Sequence, residues 1–564
     1  MLVQSGALLL LIASCMHALS MRAPRSGISR ECDVVVIGAG LGGLSCASVL
    51  SSLYGQHVQI FEAHYHSGGC AHSFPWKSKK SGFTYNFDSG PTITLGCSAP
   101  PFNPLAQVLK AVGGGDMISW ISYDRWGMVT ESGNWPFILG EEKFEKVLRQ
   151  FAGPSAVEEF RSLRQACAPL CAGAAAIPTM ALRSDKWKLL PLLPHLDALK
   201  KVIPYADVLN GNFEPFLEDV RDPWFRSWLD ALAFSLSGLP AGKTGAATMA
   251  YTLFDLHRDG ATLDYPRGGF GAIAAAFQRV VTESGSDVHL STPVSSIAVE
   301  GGRAVGVILS DGTMVKAKRG VVCNANIWAL PKLLQNAAVT GKLNTRQHVE
   351  LIDAPKGVTK TKSFSHLHLG IDATGLDRSQ LLPHYTVMDQ GLHCADPCAD
   401  RNMVAVSNPS LLDPSLVLGA EGASDRLMIH AYTAGNEPWE PWGRNENGDK
   451  NVYDAAKKAS CEVLYRSVSR ALGISRDELA RRTDVQLLGS PHTHKRFLLR
   501  DEGTYGAEFG SMLAGPTTTL PGLFLTGDST FPGIGVPAVA VSGTQAANTM
   551  VSVARHLLFG RPNH

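Results

Sequence analysis

Asp33-Val-Val-Val-Ile-Gly38-Ala-Gly40-Leu-Gly-Gly43 is the stretch that decides the fold of this chain. The apolar run from Asp33 to Ile37 reads as a strand buried on both faces, as strands of parallel sheets are. It enters Gly38-x-Gly40-x-x-Gly43 directly, and Leu44 to Leu53 continues as a helix of small residues. Glycines at this spacing allow a tight turn, close approach of backbone to a diphosphate, and close packing of helix on strand. The helix N-terminus adds free N–H groups and partial positive charge for the phosphate oxygens. Val58-Gln-Ile-Phe-Glu62 then reads as a second strand, ending in an acid 24 residues after Gly38. A carboxylate there accepts hydrogen bonds from ribose hydroxyls. Strand, glycine motif, helix, strand and acid, in that order, predict a dinucleotide site on Gly38, Gly40, Gly43 and Glu62.

The residues that follow favour FAD over NAD. Gly68-Gly69 comes six residues after Glu62, then Ala71-His72-Ser73, then Phe87-Asp88-Ser-Gly90-Pro91-Thr92. Two-dinucleotide flavoproteins continue the first βαβ unit with such a Gly-Gly turn. Far along the chain, Gly522-Leu-Phe-Leu-Thr526 reads as another buried strand and ends at Gly527-Asp528. That acid is placed for the ribityl or phosphate side of FAD. Gly533-x-Gly535-Val536-Pro537 then opens a small-residue helix with proline in its first turn. Its dipole would stabilise the negative charge of a reduced flavin. Between these blocks, short strands are expected at Val288 to Leu290, Ser295 to Val299, Ala304 to Leu309 and Val321 to Ala325, with Val294 against the adenine.

The expected fold class is therefore α/β: a two-dinucleotide-binding, Rossmann-like FAD domain, discontinuous in sequence, with an inserted α+β substrate domain. Residues 32–105, 264–330 and 485–564 are assigned to the flavin part, and 106–263 and 331–484 to the substrate and membrane-facing part. A length of 564 residues agrees with more than one core.

Composition excludes several classes. Fifty-one Lys and Arg stand against 50 Asp and Glu; a nucleic-acid binder would need a basic excess. Charged residues are 18% and apolar ones 45%, which opposes disorder. Mean hydropathy of +0.02 is high, yet no run of 18 apolar residues exists, so a polytopic membrane protein is not expected. Gly6 to Ala13 reads as a signal-peptide core, with a small-x-small site at Ala18-Leu19-Ser20. Residues 21–31 then have transit-peptide character, with Arg22, Arg25 and Arg30. A signal (residues 1–20) followed by a transit-like segment resembles the bipartite leader of algal plastids behind an endoplasmic-reticulum-derived membrane; a secretory signal with a basic linker is the alternative. Removing the three arginines of residues 1–30 from the basic total leaves 48 against 50 acids. The cysteines are scattered, as in a reduced enzyme, and no second ligand pair makes a zinc site.

The inserted regions point to an apolar substrate. Helices are expected over Ala156 to Cys171 and Asp222 to Leu236. Trp187-Lys-Leu-Leu-Pro-Leu-Leu-Pro194 is apolar, and Lys186, Lys188, Lys200 and Lys201 flank it. Its prolines forbid a regular spanning helix. It reads either as a loop dipping into an anionic membrane surface or as a lid on its own domain. No Ser/His/Asp or Cys/His arrangement demands a protein nucleophile. His72 and Thr92 follow flavin-side motifs and are the candidate proton donors, while Asp88 is expected to fix its turn. His366-x-His368 and His492-x-His494 each lack a third ligand, so no metal is expected.

Glu62-Ala-His64, Gly68-Gly69-Cys-Ala71-His72-Ser73-Phe74, Phe87-Asp88-Ser89-Gly90-Pro91 and Tyr265-Pro-Arg-Gly268-Gly269 together resemble the carotenoid isomerase branch of the phytoene desaturase-like flavoproteins. Ser407 to Asp413, Ile429-His430-Ala-Tyr432 and above all Gly527-Asp-Ser-Thr-Phe-Pro-Gly-Ile-Gly535-Val536-Pro-Ala-Val-Ala-Val-Ser-Gly543 extend the likeness, which runs from Asp33 to about Val551. The resemblance implies FAD contacts at Gly38, Gly40, Gly43, Glu62, Gly69, Val294, Gly527, Asp528 and Val536. It also implies a lipophilic carotenoid held in a tunnel against the isoalloxazine, isomerised with reduced FAD and no net redox change. Pro537 departs toward the desaturases. A carotenoid desaturase, a retinol-saturase-like oxidoreductase or a redox-neutral hydratase remains open, as does a prenyl-binding escort protein, which the intact motifs at both ends oppose. A generic amine oxidase would carry a flavin-flanking arginine after its Gly-Gly pair; Cys70-Ala71 stand there.

Overall fold

Val34, Val35 and Val36 are completely buried in a computed structural model of the protein, which describes residues 27–560 apart from 206–207, 209–210, 420–424, 435–449 and 512–514. The expected signal core, cleavage site and most of the transit-like segment lie outside the described residues. In chain order, the elements used below begin with β1 (Glu31–Ile37), α1 (Leu41–Ser48), β2 (Val58–Phe61), β3 (Ser73–Lys77), β4 (Thr84–Asp88), β5 (Arg125–Thr130), β6 (Gly133–Ile138) and α2 (Pro154–Ala176). They continue through α3 (Pro223–Ser237), α4 (Ala246–His257), α5 (Gly271–Glu283), β7 (Asp287–His289), β8 (Val294–Glu300), β9 (Arg303–Leu309), β10 (Met314–Cys323) and α6 (Leu330–Val339). The last are β11 (Phe364–Asp372), β12 (His384–Met388), β13 (Met403–Ser407), β14 (Arg426–Ala434), α7 (Lys450–Leu472), β15 (Thr483–Gly489), α8 (Pro491–Leu498), β16 (Leu523–Leu525) and α9 (Val536–Met550).

A first sheet has the order β7-β2-β1-β10-β9-β8, with β16 also on β10. β1 lies parallel to both β2 and β10, and β16 is parallel to β10. Chain segments distant in sequence thus meet on one sheet. One face is covered by α1, α5 and α9 through Leu44, Ala47, Phe277, Val280 and Ala546. The other carries Val35, Val307 and Val321 against Leu333 and Leu334 of α6. Burial on both faces is why β1 and β10 end in unbroken apolar runs.

A second sheet has the order β15-β11-β14-β13-β12-β5-β6. Its strands alternate, as a sheet with two different faces requires. Leu367, Leu369, Ile371 and Ile429 pack on Leu464 and Val468 of α7, whereas His366, His368 and His430 fall on the opposite face. Beyond the sheet, β6, the helix Glu141–Phe151, α2 and α3 share an aromatic core of Phe137, Phe144, Phe160, Trp224 and Trp228, with Met249 and Leu253 of α4 packed in the same cluster. Phe144 and Trp228 have ring centroids 4.2 Å apart.

Two seams lie elsewhere than expected. Thr483–Gly489 is a strand of the second sheet, although 485 onward was assigned to the flavin part. Helix Leu330–Val339 packs on the first sheet, although 331 onward was assigned to the substrate part. In both cases neighbouring apolar faces, rather than the motifs, decide which core a segment joins.

Candidate functional site

α1 starts at Gly40 with no side-chain cap and no acid in its first turn. α9 starts in the same way at Gly535. Both ends open on one cavity of about 1370 Å³, larger than the ~300–1,000 Å³ of a single-ligand pocket. Uncapped helix N-termini are ready-made anion sites, and two of them face the same space. The helices can lie this close because a Cβ at Gly543 of α9 would stand 2.2 Å from the Gly42 carbonyl oxygen of α1.

The glycine motif forms a cradle at one end of the cavity. Gly38, Gly40 and Gly42 line it, while Gly43 does not. A Cβ at Gly43 would stand 2.2 Å from Gly38 O, so this glycine serves the packing of α1 on β1. Glu62 ends β2 beside the cradle and accepts from Ala39 N–H at 2.7 Å and His64 N–H at 2.8 Å. Burial raises its carboxyl above the usual value, and those N–H bonds work against the rise. Thr292 N–H bonds Glu62 O at 2.7 Å, which brings Val294 to the same wall. Gly69, Gly527, Asp528 and Val536 complete the lining among the residues expected to hold the cofactor. The cradle offers N–H donors to a diphosphate, with the Asn324 amide reaching in beside Gly40 and Gly42, and an adjoining carboxylate is available for a ribose; these residues fit a dinucleotide.

The two proton-donor candidates separate. Thr92 lines the cavity, and its Oγ1 lies 2.7 Å from Ser407 Oγ. His72 does not line it. Its Nδ1 lies 2.7 Å from Gly69 O and 3.1 Å from Ser89 Oγ, and its ring borders a shallow depression with Tyr65, His66 and Ser67. Burial pushes the His72 imidazole down to about 4, so it is neutral at pH 7. Asp88 does fix its surroundings: its carboxylate accepts from Ser73 Oγ at 2.7 Å, Phe270 N–H at 2.8 Å and Tyr265 OH at 2.6 Å. Burial raises it to about 6.

Several cavity groups carried no assigned role in the sequence. His384, on β12, lines the cavity, and its Nδ1 lies 2.9 Å from Ser407 Oγ. Burial pushes it down to about 3. The sheet register places His368, His430, Ser407 and His384 in one row across β11, β14, β13 and β12. His430 stacks on His368 at 4.4 Å and its Nε2 lies 2.8 Å from Nδ1 of His366. The imidazoles bond one another and the backbone, and no metal-ligating group of three exists among the described residues. Polar residues alternate with apolar ones along the individual strands, but only the register of four strands brings them into a row. Asn324, at the end of β10, reaches into the glycine cradle with Nδ2 3.4 Å from Gly38 O. Arg500 pairs with Asp528 on the cavity wall.

The remaining wall is largely apolar: Trp126, Leu232, Leu236 and Tyr251 from the second sheet and its helices, with Leu263 from the short strand Leu263–Pro266, face the same space as the cradle.

A family model described as flavin containing amine oxidoreductase matches residues 41–380. The chain is 27% identical to the chloroplastic prolycopene isomerase of Arabidopsis thaliana over 94% of its length and 84% of that protein. It is 28% identical to the carrot (Daucus carota) prolycopene isomerase, over 93% and 81%. It is 25% identical to the all-trans-retinol 13,14-reductase of Rattus norvegicus, over 90% and 83%. Among solved structures, a putrescine oxidase variant superposes with a TM-score of 0.57 at 13% identity, covering 93% of this chain and 99% of its own. That likeness speaks to the fold.

Proposed function

This chain belongs to the flavin containing amine oxidoreductase family, and we propose that within it the protein is an FAD-dependent cis–trans isomerase of a carotenoid polyene. FAD is its cofactor. The observation that carries the reading is the single cavity, which joins an anion-binding glycine cradle at Gly38–Gly42 to an apolar wall at Trp126, Leu232, Leu236 and Leu263. The similarity to two prolycopene isomerases over more than nine-tenths of the chain supplies the substrate class.

Held by Gly38, Gly40, Gly42, Glu62 and Asp528, reduced FAD would supply the electron density that lowers the bond order of a conjugated double bond. The chain's residues do the rest by placement. The N-terminus of α9 directs partial positive charge into the cavity, which favours an anionic ring there. The apolar wall excludes water and strengthens such charge effects. His384 and the imidazoles behind it are held neutral by burial, so this stretch of the wall carries no imidazolium beside the polyene. Thr92 is the cavity-facing hydroxyl of a hydrogen-bonded chain through Ser407 to His384 and is the proposed proton-handling group.

Substrate delivery follows from solubility. Burial contributes roughly 0.8 kcal/mol per methylene-sized group, so a long polyene stays in lipid. We assign membrane contact to the segment that holds exposed Trp187, Leu189, Leu193, Leu196 and Ile203 beside Lys186, Lys188, Lys200 and Lys201. Among the described residues no helix is long and apolar enough to span a bilayer; the contact we assign is a peripheral one. A plastid address, through the leader expected at residues 1–31, agrees with the chloroplastic relatives.

A reading with net electron transfer rests on Pro537 and on similarity to the retinol reductase. Anaerobic incubation of the reduced holoenzyme with liposomal cis-carotenoid, followed by product mass, decides. Unchanged mass with altered geometry supports isomerisation. A change of two hydrogens establishes desaturation or saturation instead, and a gain of one water establishes hydration.

A further inference from the structure

Arg500 comes from the loop after α8 and reaches the cavity next to Gly69-Cys70, the place where a generic amine oxidase would carry its arginine. The side chain is 12% exposed. Nε donates to Thr504 O at 2.8 Å, and Nη2 donates to Tyr505 O and to the Asp528 carboxylate. These contacts hold one edge of the guanidinium. Nη1, with its two N–H groups, has no protein partner among the described residues.

Two observations place Arg500 within the site. The backbone of Gly527 lies 3.1 Å from the position of a Cβ on Gly42, so the Asp528–Arg500 pair stands beside the first turn of α1. The charge of Arg500 also bears directly on the Cys70 thiol, opposing the rise that burial imposes. Arg500 therefore stands near Cys70 and the first turn of α1, on the cavity wall that Gly40 and Gly69 also line. A buried guanidinium costs several kcal/mol unless paired and bonded. One carboxylate and two carbonyls satisfy the edge that they reach and leave the other donor-only.

We propose that Arg500 is a diphosphate-binding residue of the cofactor site, a cation brought from a distant segment to the place where Cys70 stands instead of arginine. A planar guanidinium suits a phosphate oxygen, and Asp528 fixes its orientation. The inference rests on the flavin cofactor and not on the polyene reading, and its test uses no polyene.

The test measures binding of FAD, ADP and riboflavin to flavin-free protein, by flavin fluorescence and by competition. Arg500→Gln is expected to weaken FAD and ADP by about ten- to a hundredfold, as for loss of a charged hydrogen bond, and to leave riboflavin, which has no phosphate, unchanged. Adding Cys70→Arg to Arg500→Gln is expected to restore ADP binding. Arg500→Lys keeps the charge without the fork and is expected to fall between the two; it carries the test alone if Arg500→Gln does not fold by circular dichroism. Wild-type ADP affinity in the folded variant overturns the proposal. So does a loss of riboflavin as large as that of FAD, which would place Arg500 on the flavin ring or its ribityl chain.

Discussion

The Thr92 hydroxyl lies 2.7 Å from Ser407 Oγ, joining the loop after β4 to the second sheet at the cavity wall. Ser407 in turn meets Nδ1 of His384 at 2.9 Å. The three side chains are almost completely buried, and each brings a polar atom to a wall that is otherwise mostly apolar.

Thr92→Val keeps the shape of the side chain and removes its hydroxyl. Ser407 retains His384 as a partner, so a stability loss of only about 1 kcal/mol is expected. Isomerisation is expected to slow by about a hundredfold, within the range for a proton-handling group. His72→Gln, at a ring outside the cavity, should stay within about twofold of wild type. Turnover of both variants on liposomal substrate checks this; equal slowing would remove Thr92 from its proposed role.

Gly40→Val probes the cradle. The new Cβ would stand 2.8 Å from Asn324 Nδ2, and its methyl groups would occupy space at the diphosphate. The variant should purify without the flavin absorbance near the visible region while keeping wild-type circular dichroism. A yellow Gly40→Val protein with full FAD occupancy would contradict the placement.

Acid should destabilise the fold well before most carboxylates protonate. Burial pushes His384 down to about 3 and His72, His368 and His494 to about 4, and it holds His366 and His430 well below their ordinary value. In the unfolded chain these groups titrate near ~6.5. Between pH 6.5 and 4 the unfolded state therefore binds more protons, so stability is complete above about pH 6.5 and falls as pH drops toward 4. Asp88, raised to about 6 by burial, and Glu62, Asp230 and Asp255, also raised by burial, work in the opposite direction, but the six imidazoles outnumber them. Thermal unfolding at steps from pH 7.5 to 4.5 should show a steady decline; a flat profile would contradict the buried, neutral state.

Membrane contact has a direct readout. Replacing Leu189, Leu193 and Ile203, exposed at 63%, 50% and 66%, with serine should reduce co-sedimentation with anionic vesicles by about tenfold and leave the flavin spectrum unchanged. Binding that persists in the triple variant would assign the segment to a lid.

How much of this was legible in the sequence varied with locality. Gly38 to Gly43, Glu62, Gly69 and Val536 sit in short motifs whose spacing states their task, and the structure gathers all but Gly43 on one cavity. The histidine row was not legible, because His368, His430, Ser407 and His384 meet only through the register of four strands. The same limit hid Arg500, whose meaning depends on a loop turning back to Asp528. The departure at β15 and α6 has the same origin: an apolar face joins whichever neighbour covers it, and motif boundaries do not record that choice.

The contact between Gly42 and Gly543 also sets a schedule. A ribosome that has made β1 and α1 has made only half of an anion site, and the helix that completes it follows every strand of the second sheet. Cofactor loading must therefore wait until α9 has been synthesised, and any transport across a membrane in an extended form has to precede it. Bound flavin then acts as a clasp between the early and late parts of the polypeptide, so a chain broken off before α9 should be colourless however well its second sheet folds.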